Sequence, residues 1–269
     1  MCPSDTELAT HFAFGENWES YSRLINAEKV NAAVEGMSEF VGPLVGAAFL
    51  DIGCGSGLSS LAAARLGVAS VMAIDIDPKS AETTRNVLSK FASNISWKVE
   101  TISVLSDDFA SLGQFDVVYS WGVLHHTGNM REAIRKAAMR VRPGGLFAIA
   151  IYRKTPFCGV WRLEKRIYTN SHRVIQELIF WAYKISVGTL GWMRRTVTRA
   201  AKKPKRRGMD VDHDIRDWLG GYPYESATPI EVDEIVLRLG FRKVREDVPP
   251  TRFLGVFGTG CAEYLYQRS

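Results

Sequence analysis

The chain is poor in cysteine and pairs none of it in a motif. Cys2, Cys54, Cys158 and Cys261 are scattered through 269 residues with no CxxC and no metal-type spacing, which argues against a disulfide framework and a zinc site. No apolar run reaches the roughly 20 residues that a membrane-spanning helix needs. The nearest, Leu178 to Met193, has sixteen residues and is interrupted by Lys184. The opening MCPSDTELATHFAFGENW contains acids and lacks an apolar core, so no secretory signal is expected there and a cytoplasmic location is the default. Internal repeats are absent too. What remains is ordinary: 46% hydrophobic and 23% charged residues with a mean hydropathy of −0.07 exclude wholesale disorder and a fibrous fold. The length suits one well-buried core with elaborations.

Acids are missing from one stretch in particular. Between Trp192 and Asp210 lie Arg194, Arg195, Arg199, Lys202, Lys203, Lys205, Arg206 and Arg207, with no Asp or Glu among them. Removing these eight from the formal charge of +5 leaves −3, so the body is slightly acidic and carries one basic strip. The strip follows the apolar, aromatic segment that begins at Leu178. That order suits peripheral contact with an anionic membrane through residues 178–207, or a grip on an anionic acceptor. A solvated loop is the plainer reading, and nucleic acid is the least favoured partner.

Hydrophobic periodicity divides the chain into alternating units. Residues 1–42 read as helical, with Leu24, Ile25, Val30, Ala33 and Val34 at helical spacing and Gly42-Pro43 as the stop. Strands are expected at 48–52, 68–74, 97–104, 115–120 and 146–152, separated by helices at 58–66, to Phe91, and at 130–141, the last ended by Arg142-Pro-Gly-Gly145. This alternation indicates a parallel, doubly wound α/β sheet. It breaks at 156–225, where aromatic helical segments replace strands. It resumes with a helix at 229–239 and strands at 241–248 and 261–266. The division is therefore an N-terminal lid (1–42), a core (43–155), a helical insertion (156–225) and the rest of the core (226–269).

Leu50-Asp-Ile-Gly-Cys-Gly-Ser-Gly57 leaves the first strand and opens a helix. Glycines there allow a tight turn and close backbone approach to a ligand whose anionic part meets free helix N–H groups. A dinucleotide fingerprint, G-x-G-x-x-G, needs a glycine where Leu58 stands. The spacing present, G-x-G-x-G with Asp51 two residues ahead, resembles motif I of class I S-adenosylmethionine-dependent methyltransferases. Asp75 ends the second strand 24 residues after Asp51, where a carboxylate can accept both ribose hydroxyls. Phe115-Asp-Val-Val-Tyr-Ser-Trp-Gly-Val-Leu-His-His-Thr-Gly128 and Arg142-Pro-Gly-Gly-Leu146 resemble the strand-four and strand-five regions of the same superfamily. The likeness covers about residues 12–153 and 229–266.

The resemblance implies a Rossmann-like seven-stranded sheet with the last strand antiparallel, and S-adenosyl-L-methionine as cofactor. It implies cofactor contacts at Asp51, Gly53, Gly55, Gly57, Asp75 and Ile76, with Val104 and Leu105 as an apolar clamp and Ser120 and Trp18 nearby. The family usually has an acid after strand three for the adenine amino group; here Ser106 stands in its place and Asp107 follows. After strand four the chain lacks the Asn/Asp-Pro-Pro-aromatic motif of nucleobase amino methylation, the Pro-Cys of cytosine methylation and the carboxylates of metal-dependent transfer. It holds Trp121, His125 and His126 instead. An oxygen or nitrogen nucleophile benefits from a base with a pKa near working pH, and by resemblance to small-molecule O- and phosphoethanolamine-type enzymes His125 is the candidate. A structural histidine is the competing reading. Phe14-Gly-Glu-Asn-Trp18 and Tyr21 look like the start of a lid, where aromatic faces attract a sulfonium by on the order of 1 kcal/mol. His126, Trp121, Tyr21, Tyr222 and Tyr224 are the expected substrate wall, the last two within Asp217-Trp-Leu-Gly-Gly-Tyr-Pro-Tyr-Glu225. The function implied is methyl transfer to an oxygen or nitrogen of a small-molecule or glycan acceptor. A membrane-associated lipid or quinone methylase, a non-catalytic cofactor-binding regulatory subunit and an RNA methylase remain as alternatives.

Overall fold

Four strands of this chain are apolar almost throughout, and that burial decides the architecture. The computed structural model describes residues 14–198, 210–248 and 259–269. The first residues of the expected lid and most of the basic strip, 199–207, lie outside them. In chain order the elements are α1 (Phe14–Ser22), α2 (Ala27–Val41), β1 (Ala48–Ile52), α3 (Leu58–Arg65), β2 (Ser70–Asp75), α4 (Pro78–Phe91), β3 (Ser96–Thr101), α5 (Asp107–Ser111), β4 (Phe115–Trp121) and α6 (Met130–Ala138). They continue with β5 (Val141–Tyr152), α7 (Cys158–Asn170), α8 (Arg173–Thr198), α9 (Val211–Gly220), α10 (Pro229–Leu237), β6 (Phe241–Asp247) and β7 (Cys261–Arg268).

One seven-stranded sheet runs in the order β3-β2-β1-β4-β5-β7-β6, and β7 is antiparallel to both of its neighbours. Side-chain alternation sends Phe49, Val71, Ala73 and Ala148 to one face, covered by α2, α3 and α4. It sends Leu50, Met72, Phe147 and Ile149 to the other face, covered by α5, α6 and α10. A strand buried on both faces must read as a continuous apolar run, which is why β1, β2, β4 and the second half of β5 do so. The sheet edges are polar: β3 exposes Lys98 and β6 exposes Arg242 and Lys243, charges that discourage pairing with another chain.

The chain runs from β1 outward through β2 to β3, then returns to the other side of β1 as β4. The order therefore reverses between β1 and β4, and a crevice opens beyond their carboxyl ends, the usual ligand position in open α/β sheets. The insertion has its own small core of Tyr168, Phe180, Ile215 and Leu219.

Several expected boundaries change, β3 for example ending at Thr101 and not at 104. The N-terminal helical stretch is two helices, because Asn26 caps α2 by accepting from the Lys29 N–H at 3.0 Å, which leaves Leu24 and Ile25 in the turn before it. Helix α6 stops at Ala138, and β5 starts at Val141 opposite Phe115, so Arg142-Pro-Gly-Gly145 lies within a strand. The pairing shifts register there, and a Cβ on Gly145 would sit 2.7 Å from the Asp116 carbonyl. The turn signal in the sequence marks an irregular strand with one close approach. Finally, β7 continues to Arg268.

Phe147 is fully buried at the centre of β5, its ring 6.1 Å from that of Phe241. Phe147→Ala is expected to lower unfolding free energy by about 3–5 kcal/mol in a denaturant titration.

Candidate active site

The loop after β1 folds back over the end of β2. The N–H groups of Gly53 and Cys54 both donate to the Ile74 carbonyl, at 2.8 and 3.0 Å. Gly55 N–H donates to the Asp75 carboxylate at 2.9 Å, and the other Asp75 oxygen accepts from Asp77 N–H at 3.0 Å. Gly53, Gly55 and Gly57 all have φ between 51° and 78°, and a Cβ at Gly53 would lie 2.4 Å from Val123. Burial pushes the Asp75 carboxyl up to about 6 although backbone N–H donors oppose the shift. With two backbone bonds made, its remaining lone pairs can still accept hydroxyl groups.

A cavity of about 440 Å³ opens at this point, within the range of small-molecule sites. Of the residues expected at the site, it gathers Trp18, Gly53, Gly55, Asp75, Ile76, Val104, Trp121 and His126 on one surface. Helix α1 roofs it. Gly15 N–H donates to Asp77 at 2.8 Å and the Trp18 ring lies over Gly55, 3.2 Å from where a Cβ would be. From the other side α1 meets the insertion: Asn17 donates to the His213 carbonyl at 3.3 Å and Arg173 pairs with Glu16 at 3.2 Å.

The other expected residues stand behind this surface, each for a visible reason. Asp51 is 2% exposed and accepts from Ser60 Oγ at 2.6 Å, its carboxyl pushed up to about 7 by burial. Gly57 serves helix packing, since a Cβ there would be 3.1 Å from Thr84 Cα. Ser120 donates to the Ile52 carbonyl at 3.2 Å, Leu105 packs among the core side chains, and Ser106 caps α5 through Phe109 N–H at 3.3 Å. Tyr21 is a second layer under Trp18, with ring centroids 6.0 Å apart. Tyr222 is half-buried outside the lining, and Tyr224 packs behind Tyr152 with its hydroxyl 3.4 Å from Cys158 Sγ.

His125 requires the main correction. It is fully buried, its Nδ1 accepts from Tyr152 N–H at 3.3 Å, and its Nε2 has no hydrogen-bond partner among the described residues. Burial, then the neighbouring His126 and Lys165, hold it well below the usual histidine range, so the ring is neutral and sealed from the cavity. His126 forms the wall instead. Its Nδ1 lies 2.9 Å from the Pro223 carbonyl, which can only accept, so Nδ1 carries the proton and Nε2 is the basic nitrogen.

Tyr152, Asp217, Cys261 and Glu263 also line the cavity and were missed in the sequence. Tyr152 and Cys261 are partners across β5 and β7, a pairing that no local pattern reveals. Asp217 opens the segment singled out for Tyr222 and Tyr224, and on α9 it lies about 200° from Ile215, away from the insertion's own core and on the cavity side. Burial, then the nearby Asp214, push its carboxyl up to about 7, against the pull of Lys165. No group of three or more His, Cys, Asp or Glu suited to a metal is found among the described residues.

Residues 50–149 match the sequence profile of a family described as "Methyltransferase domain". A ubiquinone biosynthesis O-methyltransferase of Methylocella silvestris is 39% identical over 113 residues, 42% of this chain and 43% of that protein. Its counterpart in Caulobacter vibrioides is 36% identical over 42% of this chain and 44% of its own length. The match thus spans less than half the length of these curated relatives. Among solved structures, magnesium protoporphyrin IX methyltransferase from Synechocystis with bound SAH superposes with a TM-score of 0.53 at 17% identity, covering 90% of this chain and 82% of that one. A putative S-adenosylmethionine-dependent methyltransferase from Listeria monocytogenes gives 0.51 at 14% identity, covering 90% and 98%. The fold is that of the class I methyltransferases.

Asp51 and Asp75 titrate higher in the folded chain than in the unfolded one, where carboxyls ionise near 4. Between about pH 4 and 7 the folded state therefore binds more protons, and their contribution to stability falls as pH rises. Thermal unfolding of the ligand-free protein from about pH 5 to 7.5 should show a smaller downward slope in Asp51→Asn than in the wild type.

Proposed function

We propose that this chain, whose residues 50–149 belong to the methyltransferase-domain family, transfers a methyl group from S-adenosyl-L-methionine to an oxygen or nitrogen of a small-molecule or glycan acceptor. The observation that carries this reading is the single cavity in which the glycine loop, Asp75 and Ile76, Val104 and Trp18 meet Trp121 and His126. Relatives named for O-methyl transfer in ubiquinone biosynthesis support an oxygen acceptor.

The residues fit such a cofactor. Asp75 offers lone pairs to ribose hydroxyls, Ile76 and Val104 offer apolar faces to a base, and the bare backbone at Gly53 and Gly55 allows close approach. Trp18 gives an aromatic face to a sulfonium. When bound, the cofactor supplies an activated methyl group on a good leaving group, so alignment is the main task left to the protein. Trp121, stacked on Tyr119 at 5.2 Å and set edge-on to Phe40, is a rigid wall for aligning the acceptor. His126 Nε2 takes the proton from the attacking hydroxyl, or from an ammonium acceptor before its amine attacks, the role first expected of His125. Asp217, on the same surface, holds a polar group of the acceptor.

Calorimetry should detect binding of S-adenosylmethionine and S-adenosylhomocysteine and none of NAD. Asp75→Ala should weaken cofactor binding by roughly 2–3 kcal/mol, since two hydroxyl hydrogen bonds to a charged acceptor are lost; unchanged affinity overturns the ribose assignment. With an acceptor found by label transfer from cofactor into cell extract, His126→Ala should lower kcat by about 10²–10⁴-fold and remove the acidic limb of the pH profile, with cofactor affinity kept. If His125→Ala abolishes that limb and His126→Ala does not, the base belongs at His125.

A further inference from the structure

We propose that Asp217 determines the specificity of this cavity, and that it selects an acceptor carrying a positively charged amino group. Three carboxylates line the cavity, those of Asp75, Asp217 and Glu263, and no lysine or arginine does so among the described residues. A phosphate or carboxylate on the acceptor would meet like charge there. Asp75 stands apart from the other two. It closes β2, accepts from the Gly55 and Asp77 N–H groups, and is separated from β5 by three strand spacings, roughly 14 Å.

Strand register builds the other half of the cavity. Trp121 of β4 and Glu263 of β7 both stand opposite Ala150 of β5, and Tyr152 faces Cys261 one row further on. Residues paired in this way share a face, so the small Ala150 side chain lies between the Trp121 indole and the Glu263 carboxylate, both of which line the cavity. Asp217 reaches the same end from α9. Burial, then the negative charge of Asp217, push up the Tyr152 hydroxyl and the Cys261 thiol, which places the carboxylate near both. Trp121 and Tyr152 supply aromatic rings, and a cation is drawn to the faces of such rings.

Charge selects the occupant. Where α7 meets α9, two carboxylates, Glu164 and Asp217, surround one buried ammonium, Lys165. Lys165 lies 3.8 Å from Glu164 and donates to the Trp218 carbonyl. It acts on Asp217 only at longer range, Asp214 adds further negative charge, and the Asp217 carboxylate makes no hydrogen bond or ion pair among the described residues. His126, on the same surface, is neutral in the state that accepts a proton. An acceptor that fills the cavity strips water from the Asp217 carboxylate, which is costly without a partner. A hydroxyl returns one hydrogen bond and leaves the charge, whereas an ammonium returns hydrogen bonds and the opposite charge. That the ligand is a methyl acceptor rests on the methyl-transfer reading; that it is a cation does not.

The experiment is calorimetry on the full chain with and without saturating S-adenosylhomocysteine, at about pH 8, where Asp217 is ionised and alkyl amines remain protonated. The probes are two matched pairs, tyramine with its alcohol counterpart tyrosol and cyclohexylamine with cyclohexanol. Each amine is expected to bind about tenfold or more tightly than its alcohol. In Asp217→Asn, which keeps the shape and removes the charge, that preference should fall to about twofold or less, and Asp217→Glu should restore part of it. Alcohols that bind as tightly as the amines, a preference that survives Asp217→Asn, or no binding of either amine overturns the proposal. So does an Asp217→Asn protein that loses affinity for S-adenosylmethionine but not for S-adenosylhomocysteine, since the carboxylate then serves the sulfonium. The wild-type comparison needs no variant and decides the matter even where a variant fails to fold. If S-adenosylhomocysteine itself does not bind, the methyl-transfer reading fails, while the amine preference measured without it still tests Asp217.

Discussion

The structure depends on how closely the backbone after β1 approaches the end of β2. Two N–H groups of the loop share the Ile74 carbonyl and a third binds Asp75, a geometry reached only with positive φ at Gly53 and Gly55. Side chains there would strike Val123 from the β4 side and Trp18 from the roof. One tight turn thus fits together strands on both sides of the point where the sheet reverses and the helix that covers it. The missing side chains let Val123 and Trp18 close on the turn, and both line the cavity beside it.

The roof is held from two directions. Helix α1 is tied to the core by Gly15 on Asp77 and by Lys79 on Glu19 at 2.8 Å, and to the insertion by Asn17, Tyr21 and Glu16. The insertion in turn is joined to the sheet through Lys165. That side chain is fully buried, donates to the Trp218 carbonyl, and lies 3.5 Å from the Trp218 ring centroid and within 6.0 Å of those of Tyr224 and Tyr152. Burial drives its ammonium toward deprotonation while Glu164 and Asp217 oppose the shift. A lysine enclosed by aromatic rings, with a carboxylate 3.8 Å away, ties α7 and α9 to the end of β5, where Tyr152 enters the cavity wall.

The two neighbouring histidines show how a difference of one residue separates packing from chemistry. Both follow β4 in a short helical turn, and both rings contact Tyr152. Progression of about 120° per residue in such a turn sends one ring inward and the next to the cavity. The inward ring is held neutral by desolvation, and the outer one has its tautomer set by a backbone carbonyl from the insertion. The chemistry of the core strand is thus completed by a segment almost a hundred residues later.

Local pattern was enough for the alternation of strands and helices and for its break after β5, because periodicity and turn chemistry act within a few residues of the chain. It was enough to bring Gly53, Gly55, Asp75, Ile76 and Val104 to the cavity surface, which follows from their distance to a strand end. It was not enough for Asp51, Ser120 or Gly57, whose residue types suit a ligand equally well but which Ser60, Ile52 and Thr84 engage in the core. Nor could it find Tyr152, Cys261 and Glu263, brought to the cavity by antiparallel pairing of β5 with β7, or decide between His125 and His126. Sequence determined which elements form and where the crevice opens. Tertiary packing decided which of the polar side chains near that crevice face it, because desolvation and hydrogen-bond partners come from segments distant in the chain.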